Sequence, residues 1–420
     1  MQRSVKFVRY LREFGYEPVV VTGPGAVTGR WTPTDDTLAA DVPARAEVRR
    51  IPEPPPAPSS VRRRLERWLR VPAPFDRWWT EGTAAAAATL SDIDLVYASM
   101  SPFSTAAAAE ACAHSLGVPW VADLRDPWAL DEMTVYPTRA HRVLERRAMG
   151  RALRSAGAVV MNTPEAARAL RESFAHLRRV PVVSIPNGYD AADFDARPAA
   201  HTAKDSFRIV HTGYLHTELG LQQRRSGRTR RLLGGGHPSV DFLTRSHVFL
   251  LQAVETVLAL HPDWRERIEV HLAGVLSASD EAVISGFRFH DVVRAPGYVS
   301  HEQTVELIRG ANLLFLPMHD LPPGTRATIV PGKTYEYLAS GRPLLAAVPD
   351  GDARDLVQTF ETSTVCRPAD VPAMVAAIET TYGSRRLETP EIPEAMRRYE
   401  RRALTRELAT VFDATLGRRS

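Results

Sequence analysis

The sequence predicts an α/β protein built from two domains, each a doubly wound, Rossmann-like sheet of parallel strands. Short β-branched segments alternate with segments of helical period along almost the whole chain, and this order favours parallel strands joined by crossover helices. The chain has 420 residues, which is too long for one ordinary core, since a domain usually holds about 150 residues. A turn signal followed by a polar stretch divides the alternation near its middle.

The first half contains five predicted strands, each short, rich in β-branched residues and bounded by Gly, Pro or Asp. These strands are Glu17–Thr22, Ile93–Ala98, Val118–Ala122, Ala158–Met161 and Val182–Ile185. The helices predicted between them are Thr105–Leu116, Arg139–Arg154 and Pro164–Phe174. Thr163 is a plausible cap for the last helix, with Pro164 in its first turn.

The second half repeats the same alternation. Its predicted strands are Arg208–His211, Glu269–Ala273, Val292–Ala295, Leu313–Leu316, Leu344–Val348 and Thr364–Cys366. Its predicted helices are Val248–Leu260, His301–Arg309, Lys333–Ser340 and Val371–Thr380. The first of these helices carries leucine and valine along one face, as expected for a helix packed on a sheet.

The domain boundary is predicted where a strand ends in an Asn-Gly turn, at residues 185–190 (IPNGYD). The polar stretch 191–205 follows it. The N-terminal domain therefore spans 1–190 and the C-terminal domain 205–385. The remaining segment, 386–420, is expected to form a final amphipathic helix, Ile392–Leu416, that packs back across the domains.

The beginning of the chain departs from this scheme. Phe7, Leu11 and Phe14 form a helical face ahead of the first predicted strand. A doubly wound domain normally has a strand before its first helix, so the first strand of the N-terminal domain is missing. A parallel sheet that lacks an inner strand exposes two edges, so we expect the sequence upstream of Met1 to encode a short apolar strand and a Gly-Gly loop.

Composition excludes several classes of protein. The 53 basic and 49 acidic residues leave a net charge of only +4, which argues against a protein that coats nucleic acid. Cys112 and Cys366 are too few for a disulfide framework or a zinc cluster, and a reducing compartment is the simpler interpretation. No apolar run approaches the roughly 20 residues of a membrane span, and the N-terminus lacks the features of a signal peptide. We therefore expect a cytoplasmic protein.

The most informative stretch is residues 331–346, which read PGKTYEYLASGRPLLA. Pro and Gly precede a short helix, and a buried strand follows it. The amides at the start of the helix and Lys333 are suited to an anion, while Glu336 can accept hydrogen bonds from vicinal hydroxyls such as those of a ribose. The alternative is a helix whose charged side chains are merely solvated, and the spacing alone does not decide between the two.

This stretch resembles the nucleotide-binding helix of retaining, B-type glycosyltransferases, particularly glycosyltransferase family 4. Other segments support the resemblance in the expected order: VADLRDPW at 121–128 is similar to a bacterial polysaccharide subgroup, IPNGYD at 185–190 to the interdomain turn, PGYVS at 296–300 to the base-contacting segment, and ANLLFLP at 311–317 to the strand after it. Together these segments cover most of the chain. The resemblance implies two facing domains, the GT-B fold, with a nucleotide-sugar in the cleft.

The resemblance also implies roles for individual residues. Glu336 binds the ribose hydroxyls, Tyr298 and Val299 line the base, Gly213 lets the backbone approach the phosphates, and Lys333 neutralises them. Thr328 and Thr334 complete the predicted donor-binding set. Asp126 and Arg125 face the transferred sugar from the N-terminal, acceptor-side domain and are the candidate catalytic residues. No metal ligands and no obligate cofactor are expected.

The sequence departs from the family pattern at three of these places. Thr328 stands where many members have the first glutamate of a pair, and Arg125 stands where many have a histidine. Tyr214 replaces the usual arginine after the first glycine of the second domain. Arg224 or Arg225, in the arginine-rich insertion Gln222–Gly236, is a possible substitute, although a solvated basic loop is the favoured interpretation.

Residues 61–79 form a separate basic segment. Arginines alternate with Val61, Leu65 and Trp68, and Trp78 and Trp79 follow. A basic amphipathic helix that carries tryptophan suits an anionic bilayer surface. A solvated helix packed through Trp68 is an equal alternative, so peripheral membrane contact is a hypothesis.

The sequence thus predicts a hexosyltransferase-type enzyme that moves a sugar, with retention, from a nucleoside diphosphate to a glycan or lipid-linked acceptor in cell-envelope or exopolysaccharide biosynthesis. It would work in the cytoplasm, and the membrane hypothesis adds the inner face of the cell membrane. A nucleotide-sugar epimerase or a phosphorylase could share this architecture, because fold alone does not separate them. A non-catalytic basic protein that binds nucleic acid through the Arg225 region is the last alternative, and we expect no nucleic-acid partner.

Overall fold

The computed structural model describes residues 2–24, 42–54, 59–69, 74–195, 206–225, 239–384 and 391–418. The chain divides into two compact units. Within the described residues, unit 1 comprises the chain up to Asn187 together with the segment from Arg401 onward, and unit 2 runs from Gly188 to Glu400. The final helix therefore belongs to the same unit as the N-terminus.

Unit 1 contains six strands and seven helices in its described part. The elements in chain order are α1 (Gln2–Tyr10), β1 (Val19–Thr22), β2 (Glu47–Arg50), α2 (Ser60–Leu69), α3 (Pro74–Ala87), β3 (Val96–Met100), α4 (Thr105–Leu116), β4 (Trp120–Leu124), α5 (Arg139–Ala152), β5 (Ala158–Met161), α6 (Pro164–Ser173) and β6 (Val182–Ser184), with the helix Arg401–Leu416 returning at the end of the chain. The predicted helix Thr105–Leu116 is confirmed at both ends. The strand β2 was missed, because it has no marked alternation of apolar and polar residues.

All strand pairs of unit 1 are parallel. One sheet has the order β3-β4-β5-β6, and β1 pairs with β2 in a separate two-stranded sheet. Among the described residues α1 is the first element. Because β3, β4, β5 and β6 are consecutive in the chain and each neighbouring pair is parallel, a crossover must connect each strand to the next. The helices α4, α5 and α6 lie in these crossovers.

One face of the four-stranded sheet is covered by the two ends of the chain. Phe7 and Leu11 of the N-terminal segment pack in the same buried cluster as Leu404, Leu408 and Phe412 of the final helix. That helix begins at Arg401, after a 3-10 turn over Glu394–Tyr399, and not at Ile392. Its apolar stripe is what holds α1 against the sheet.

A buried ion pair fixes α1 to the middle of the sheet. The guanidinium of Arg3 donates to both carboxylate oxygens of Asp123 in β4, through Nε at 2.9 Å and Nη2 at 3.0 Å. Tyr97 donates its hydroxyl to the same carboxylate, and Arg3 also donates to the carbonyl of Pro186. Asp123 is completely buried and Arg3 is 4% exposed. Burial, followed by the charge of Asp123, raises the pKa of Tyr97 well above its usual value.

Unit 2 follows with six strands in its described part. Its elements are α7 (Ala192–Asp195), β7 (Phe207–Thr212), α8 (Thr217–Arg225), α9 (Val248–Leu260), β8 (Ile268–Ala273), α10 (Ala278–Ser285), β9 (Val293–Gly297), α11 (His301–Arg309), β10 (Leu313–Pro317), α12 (Lys333–Ala339), β11 (Leu344–Ala347), α13 (Asp352–Val357), β12 (Ser363–Cys366) and α14 (Val371–Gly383), and the helix Arg401–Leu416 of unit 1 is α15. The predicted helices Val248–Leu260 and His301–Arg309 are confirmed residue for residue. Two helices begin at capping boxes, Ser277 with Asp280 and Ser300 with Gln303, a local signal that fixes helix starts.

The sheet of unit 2 is doubly wound. Its order is β12-β11-β10-β7-β8-β9, and every pair is parallel. The chain starts at β7, moves outward through β8 and β9, and then returns to the other side of β7 through β10. The order therefore reverses between β7 and β10, and sheets of this type bind ligands outside the carboxyl ends of the strands at that point.

Two further findings concern the described part of the chain. None of its helices combines the length and the apolar character needed to cross a bilayer. Cys112 and Cys366 are both free and buried.

We predict that Asp123→Ala destabilises unit 1 by about 3–5 kcal/mol, because it leaves the guanidinium of Arg3 buried without its counter-charge. The measurement is urea unfolding followed by circular dichroism. Glu17→Ala is the control, since it removes one partner of the Arg12–Glu17 pair, in which Glu17 is 68% exposed, and exposed pairs contribute about 1 kcal/mol or less. Equal effects of the two substitutions would contradict a structural role for the buried pair.

Candidate functional site

The site begins at the carboxyl end of β7, where the sheet order of unit 2 reverses. Gly213 follows this strand directly and has φ +97°, a conformation that favours glycine. A Cβ atom on Gly213 would lie 2.8 Å from Nζ of Lys333. The structure thus brings together two residues that the sequence predicted as parts of one site, although 120 positions separate them.

Three glycines line this edge of the sheet in contiguous backbone contact. The amide of Gly213 donates to Ala273 at 2.6 Å, and the amide of Gly274 donates to Gly297 at 2.8 Å. A Cβ on Gly274, which has φ +153°, would lie 2.5 Å from the carbonyl oxygen of Gly213. The ends of β7, β8 and β9 therefore meet backbone to backbone. Sequence reasoning missed Gly274, and a glycine directly after a predicted strand was the available signal.

Lys333, the first residue of α12, reaches from its helix to the end of β7. Its ammonium donates to the carbonyl of Thr212 and lies 3.2 Å from Nε2 of His211. Burial, followed by the charge of the nearby Arg245, lowers the pKa of Lys333 to about 7, and Glu336 opposes the shift. The lysine is consequently poised to change its charge near neutral pH, and a bound anion would favour its protonated form.

His211 is held neutral beside this ammonium. Its Nδ1 lies 2.9 Å from the carbonyl oxygen of Phe315, so Nδ1 carries the proton and Nε2 accepts from Lys333. Burial, followed by the charge of Lys333, lowers the pKa of His211 well below its usual value. Burial and Arg245 likewise lower the pKa of His216 to about 3. The positive charge at this edge therefore comes from Lys333 and Arg245.

Arg245 was missed by the sequence reasoning, which looked for this cation in the arginine-rich insertion. Arg224 instead pairs with Asp241 at 2.9 Å and is half exposed. Residues 226–236 of the insertion lie outside the described residues, and the suggestion that Arg224 or Arg225 supplies the missing cation stays a prediction. The available signal for Arg245 was its place just before the long apolar helix α9.

The remaining residues of α12 are buried against the strand. Glu336, one turn into the helix, is 9% exposed, and Thr334 is completely buried. The backbone amide of Thr212 donates to the hydroxyl of Tyr337 at 2.8 Å. This bond joins the middle of α12 to β7 and fixes the position of Lys333 and Glu336 relative to the strand end.

The other predicted donor-site residues lie at the same edge of the sheet. Tyr298 and Val299 directly follow β9, and Tyr298 is 44% exposed. Thr328 is partly exposed in the segment before α12, next to Ala327, which forms a parallel bridge with Gly351 after β11. Because all strands of the sheet run in one direction, these segments gather at its carboxyl edge.

Arg125 and Asp126 lie in unit 1, just after β4. Arg125 donates to the carbonyl of Met100 at 3.4 Å and to that of Ser101 at 3.5 Å, at the end of β3. Asp126 is exposed. Burial raises the pKa of the nearby Asp131 to about 6, with Glu132 and Asp126 contributing smaller effects of the same sign. In the described part of the chain, no three His, Cys, Asp or Glu side chains form a metal-binding group.

Comparison with known proteins agrees with this architecture. Residues 2–188 match the model of the glycosyl transferase 4-like domain, and residues 242–384 match that of glycosyl transferases group 1. The chain is a glycosyltransferase with the GT-B fold. Its two matched regions correspond to the two units. Transfer of a sugar from a nucleotide-sugar is the activity that these models and the fold support.

Solved glycosyltransferase structures share the fold over nearly the full chain. Sucrose-phosphate synthase from Thermosynechococcus elongatus is 15% identical, with 98% of this chain and 89% of that chain covered and a TM-score of 0.56. Anabaena Alr3699/HepE in complex with UDP and glucose is 14% identical, with coverage of 97% and 90% and a TM-score of 0.54. Trehalose 6-phosphate synthase from Burkholderia multivorans is 14% identical, with coverage of 95% and 96% and a TM-score of 0.53. No curated protein matches the sequence.

We predict that a nucleoside diphosphate sugar binds this glycosyltransferase more weakly as pH rises through about 7, the pKa of Lys333 in the free protein. The diphosphate does not titrate near neutral pH, so loss of the lysine charge lowers the affinity, by up to about tenfold per pH unit above the pKa. Calorimetry between about pH 6 and pH 8.5 measures the slope. Lys333→Met should remove the slope, and Lys333→Arg should keep tight binding throughout. A full slope in Lys333→Met would disprove the assignment.

We also predict that Gly274→Ala weakens donor binding and lowers the melting temperature, because its Cβ would overlap the backbone of Gly213, which cannot move aside. Gly383→Ala is the matched control: it lies at the end of α14, and a Cβ there would meet nothing within 4 Å. Thermal unfolding with and without donor compares the two variants. Similar behaviour of both would show that the glycine contacts at the strand ends do not matter.

Proposed function

We propose that this glycosyltransferase belongs to family 4 and transfers a hexose-type sugar, with retention, from a nucleoside diphosphate to a glycan or lipid-linked acceptor in cell-envelope or exopolysaccharide biosynthesis. One observation carries the donor side of the proposal: the ammonium of Lys333 lies against Gly213 at the point where the sheet order reverses. The match of the N-terminal region to a 4-like domain supports the family.

The donor is held by unit 2. In the proposal, Lys333 and Arg245 neutralise the diphosphate. The two side chains are close enough at the end of β7 for the charge of Arg245 to lower the pKa of Lys333. Gly213 has no side chain to keep the phosphates away from the backbone. Glu336 accepts hydrogen bonds from the ribose hydroxyls, as carboxylates do with paired donors.

The base and the sugar contact the neighbouring segments. Tyr298 and Val299 line the base, because the half-exposed ring of Tyr298 offers a face for stacking. Thr328 and Thr334 lie before and within α12 and provide hydroxyl groups on the donor side. No cofactor is assigned in this proposal.

Catalysis then depends on electrostatic stabilisation of the departing diphosphate. Two fixed cations in a partly buried site stabilise the negative charge that develops on the diphosphate as its bond to the sugar breaks. Asp126 and Arg125, in unit 1, are the proposed catalytic residues that act on the transferred sugar and its acceptor. Holding both substrates in reactive geometry supplies the rest of the rate enhancement.

A lipid-linked acceptor implies work at the cytoplasmic face of a membrane. Segment 61–79 supports this part of the proposal, because α2 exposes Val61, Leu65 and Trp68, by 78%, 58% and 50%. Soluble proteins seldom expose such groups together without a binding role.

A panel of nucleoside diphosphate sugars, including UDP-glucose and GDP-mannose, tests the proposed activity. Thermal unfolding identifies the donor, since a ligand at 100 times its dissociation constant stabilises the folded state by about 2.7 kcal/mol. Product analysis then separates transfer from epimerisation: an epimerase converts the sugar without an acceptor. Failure of every donor to stabilise the protein would overturn the proposal.

We predict that Glu336→Ala is the most damaging single change to donor affinity in unit 2. A hydrogen bond to a charged group contributes roughly 1.5–3 kcal/mol, so the loss of two costs on the order of 100-fold or more in affinity. Glu336→Gln should lie between the wild type and Glu336→Ala, because the amide keeps one acceptor oxygen. The measurement is the donor dissociation constant by calorimetry.

Glu306→Ala, on the exposed side of α11, is the control for that series, and circular dichroism confirms that each variant is folded. A folded Glu336→Ala protein that binds donor as tightly as the control would remove the ribose assignment.

A further inference from the structure

Exposed large apolar side chains are concentrated on three helices of unit 1. The described residues contain nine such side chains, and seven of them lie on α2, α3 and α5: Val61, Leu65, Trp68, Leu69, Phe75, Val143 and Leu144. Val143 and Leu144 are 48% and 41% exposed. The sequence indicated α2 and the start of α3 but gave no reason to include α5, whose pattern reads as an ordinary crossover helix.

A direct contact joins α2 to α5. The carbonyl of Trp68, near the end of α2, lies 3.0 Å from Nε2 of His141 in the first turn of α5, and the two rings meet edge to face at 5.5 Å. His141 is itself held by Thr138, the cap of α5, at 2.7 Å. The end of α2 is therefore attached within one turn of Val143 and Leu144, which places Trp68 near the apolar groups of α5.

The same two helices carry an extreme charge. Together α2 and α5 contain nine arginines and two glutamates, an excess of nine minus two, or +7. Since the whole chain carries +4, the rest of the chain is negative, at +4 minus +7, or −3. Both glutamates have partners: Glu66 pairs with Arg62 at 2.7 Å, and Glu145 accepts from Trp128 at 2.9 Å.

The arginines of α5 lie beside its apolar residues. Arg139, Arg146, Arg147 and Arg151 are exposed, and the helical period places Val143 and Leu144 between the first of them and the others. Exposed apolar groups interspersed with arginine are the pattern of a protein face that lies on an anionic bilayer, where the apolar groups enter the interface and the arginines meet the headgroups.

We infer that α2, the first turn of α3 and α5 form one surface that docks on an anionic lipid bilayer, with α5 as an essential part. This basic surface rests on the proposed function, because a lipid-linked acceptor lies in such a bilayer. A second copy of the chain is disfavoured as the occupant, since a symmetric contact would place +7 against +7. Nucleic acid would match the charge but not the exposed apolar groups.

The test is binding of the full chain to vesicles of phosphatidylcholine with about 30% phosphatidylglycerol, compared with pure phosphatidylcholine, by co-sedimentation. We expect binding to the anionic vesicles alone. Each basic residue near an anionic surface contributes about 1 kcal/mol, or about a fivefold factor in affinity. Arg146→Gln with Arg147→Gln should therefore bind about 25-fold more weakly.

Arg178→Gln with Arg179→Gln is the matched control, because these arginines are also adjacent, exposed and in unit 1 but lie outside the basic surface. Equal vesicle binding by the two double variants would overturn the role of α5. A second pair of variants tests the apolar component: Val143→Ser with Leu144→Ser should weaken binding, while Leu260→Ser, at an exposed leucine of unit 2, should not.

Two further measurements separate the alternatives. Binding to duplex DNA as tight as to anionic vesicles, unaffected by Val143→Ser with Leu144→Ser, would overturn the assignment to lipid. The donor dissociation constant is measured for every variant without vesicles and should not change. If the protein binds donor but no anionic vesicle, only the lipid-docking role of the basic surface is disproved. If it binds vesicles but no donor, the docking role stands and the proposed function is disproved.

Discussion

The contact between the Lys333 ammonium and the end of β7 is the interaction on which the proposed donor site of this glycosyltransferase depends. It joins the start of α12 to the central strand at the point where the sheet order reverses. The contact is possible only because Gly213 has no side chain, since a Cβ there would lie 2.8 Å from the ammonium. Gly274 in turn lets β8 approach Gly213. The position of the positive charge at this edge of the sheet thus depends on the backbone geometry of the two glycines.

The electrostatics of the site follow from burial. Histidines in and after β7 are held neutral, since burial and the neighbouring cations lower the pKa values of His211 and His216. The positive charges of Lys333 and Arg245 repel each other in a poorly solvated site. Burial, together with this repulsion, lowers the pKa of Lys333 to about 7. An anion between them relieves this repulsion, so the site is arranged to favour a charged ligand over water.

Unit 1 has a different balance of forces. Its interior depends on a buried charge pair, because Arg3 and Asp123 tie the first helix to the sheet that α15 covers. Its exterior bears an unusual combination of arginines and exposed apolar groups on α2 and α5. The charged residues inside the unit fix the position of α1, while those outside favour an anionic partner. The proposed donor site in unit 2 and the proposed docking surface in unit 1 thus use charge for different purposes.

The sequence by itself determined the α/β fold class and the alternation of elements, because periodicity and caps are local properties. It placed Lys333 and Glu336 together, because the motif around α12 is contiguous, and it assigned Gly213 to the same site only through the family resemblance. It missed Gly274 and Arg245, and it did not connect α5 with α2. These depend on which strand ends and which helices become neighbours, and no local pattern encodes that. Only the tertiary structure brought Arg245 to Lys333, set the pKa of that lysine by burial, and placed His141 against Trp68.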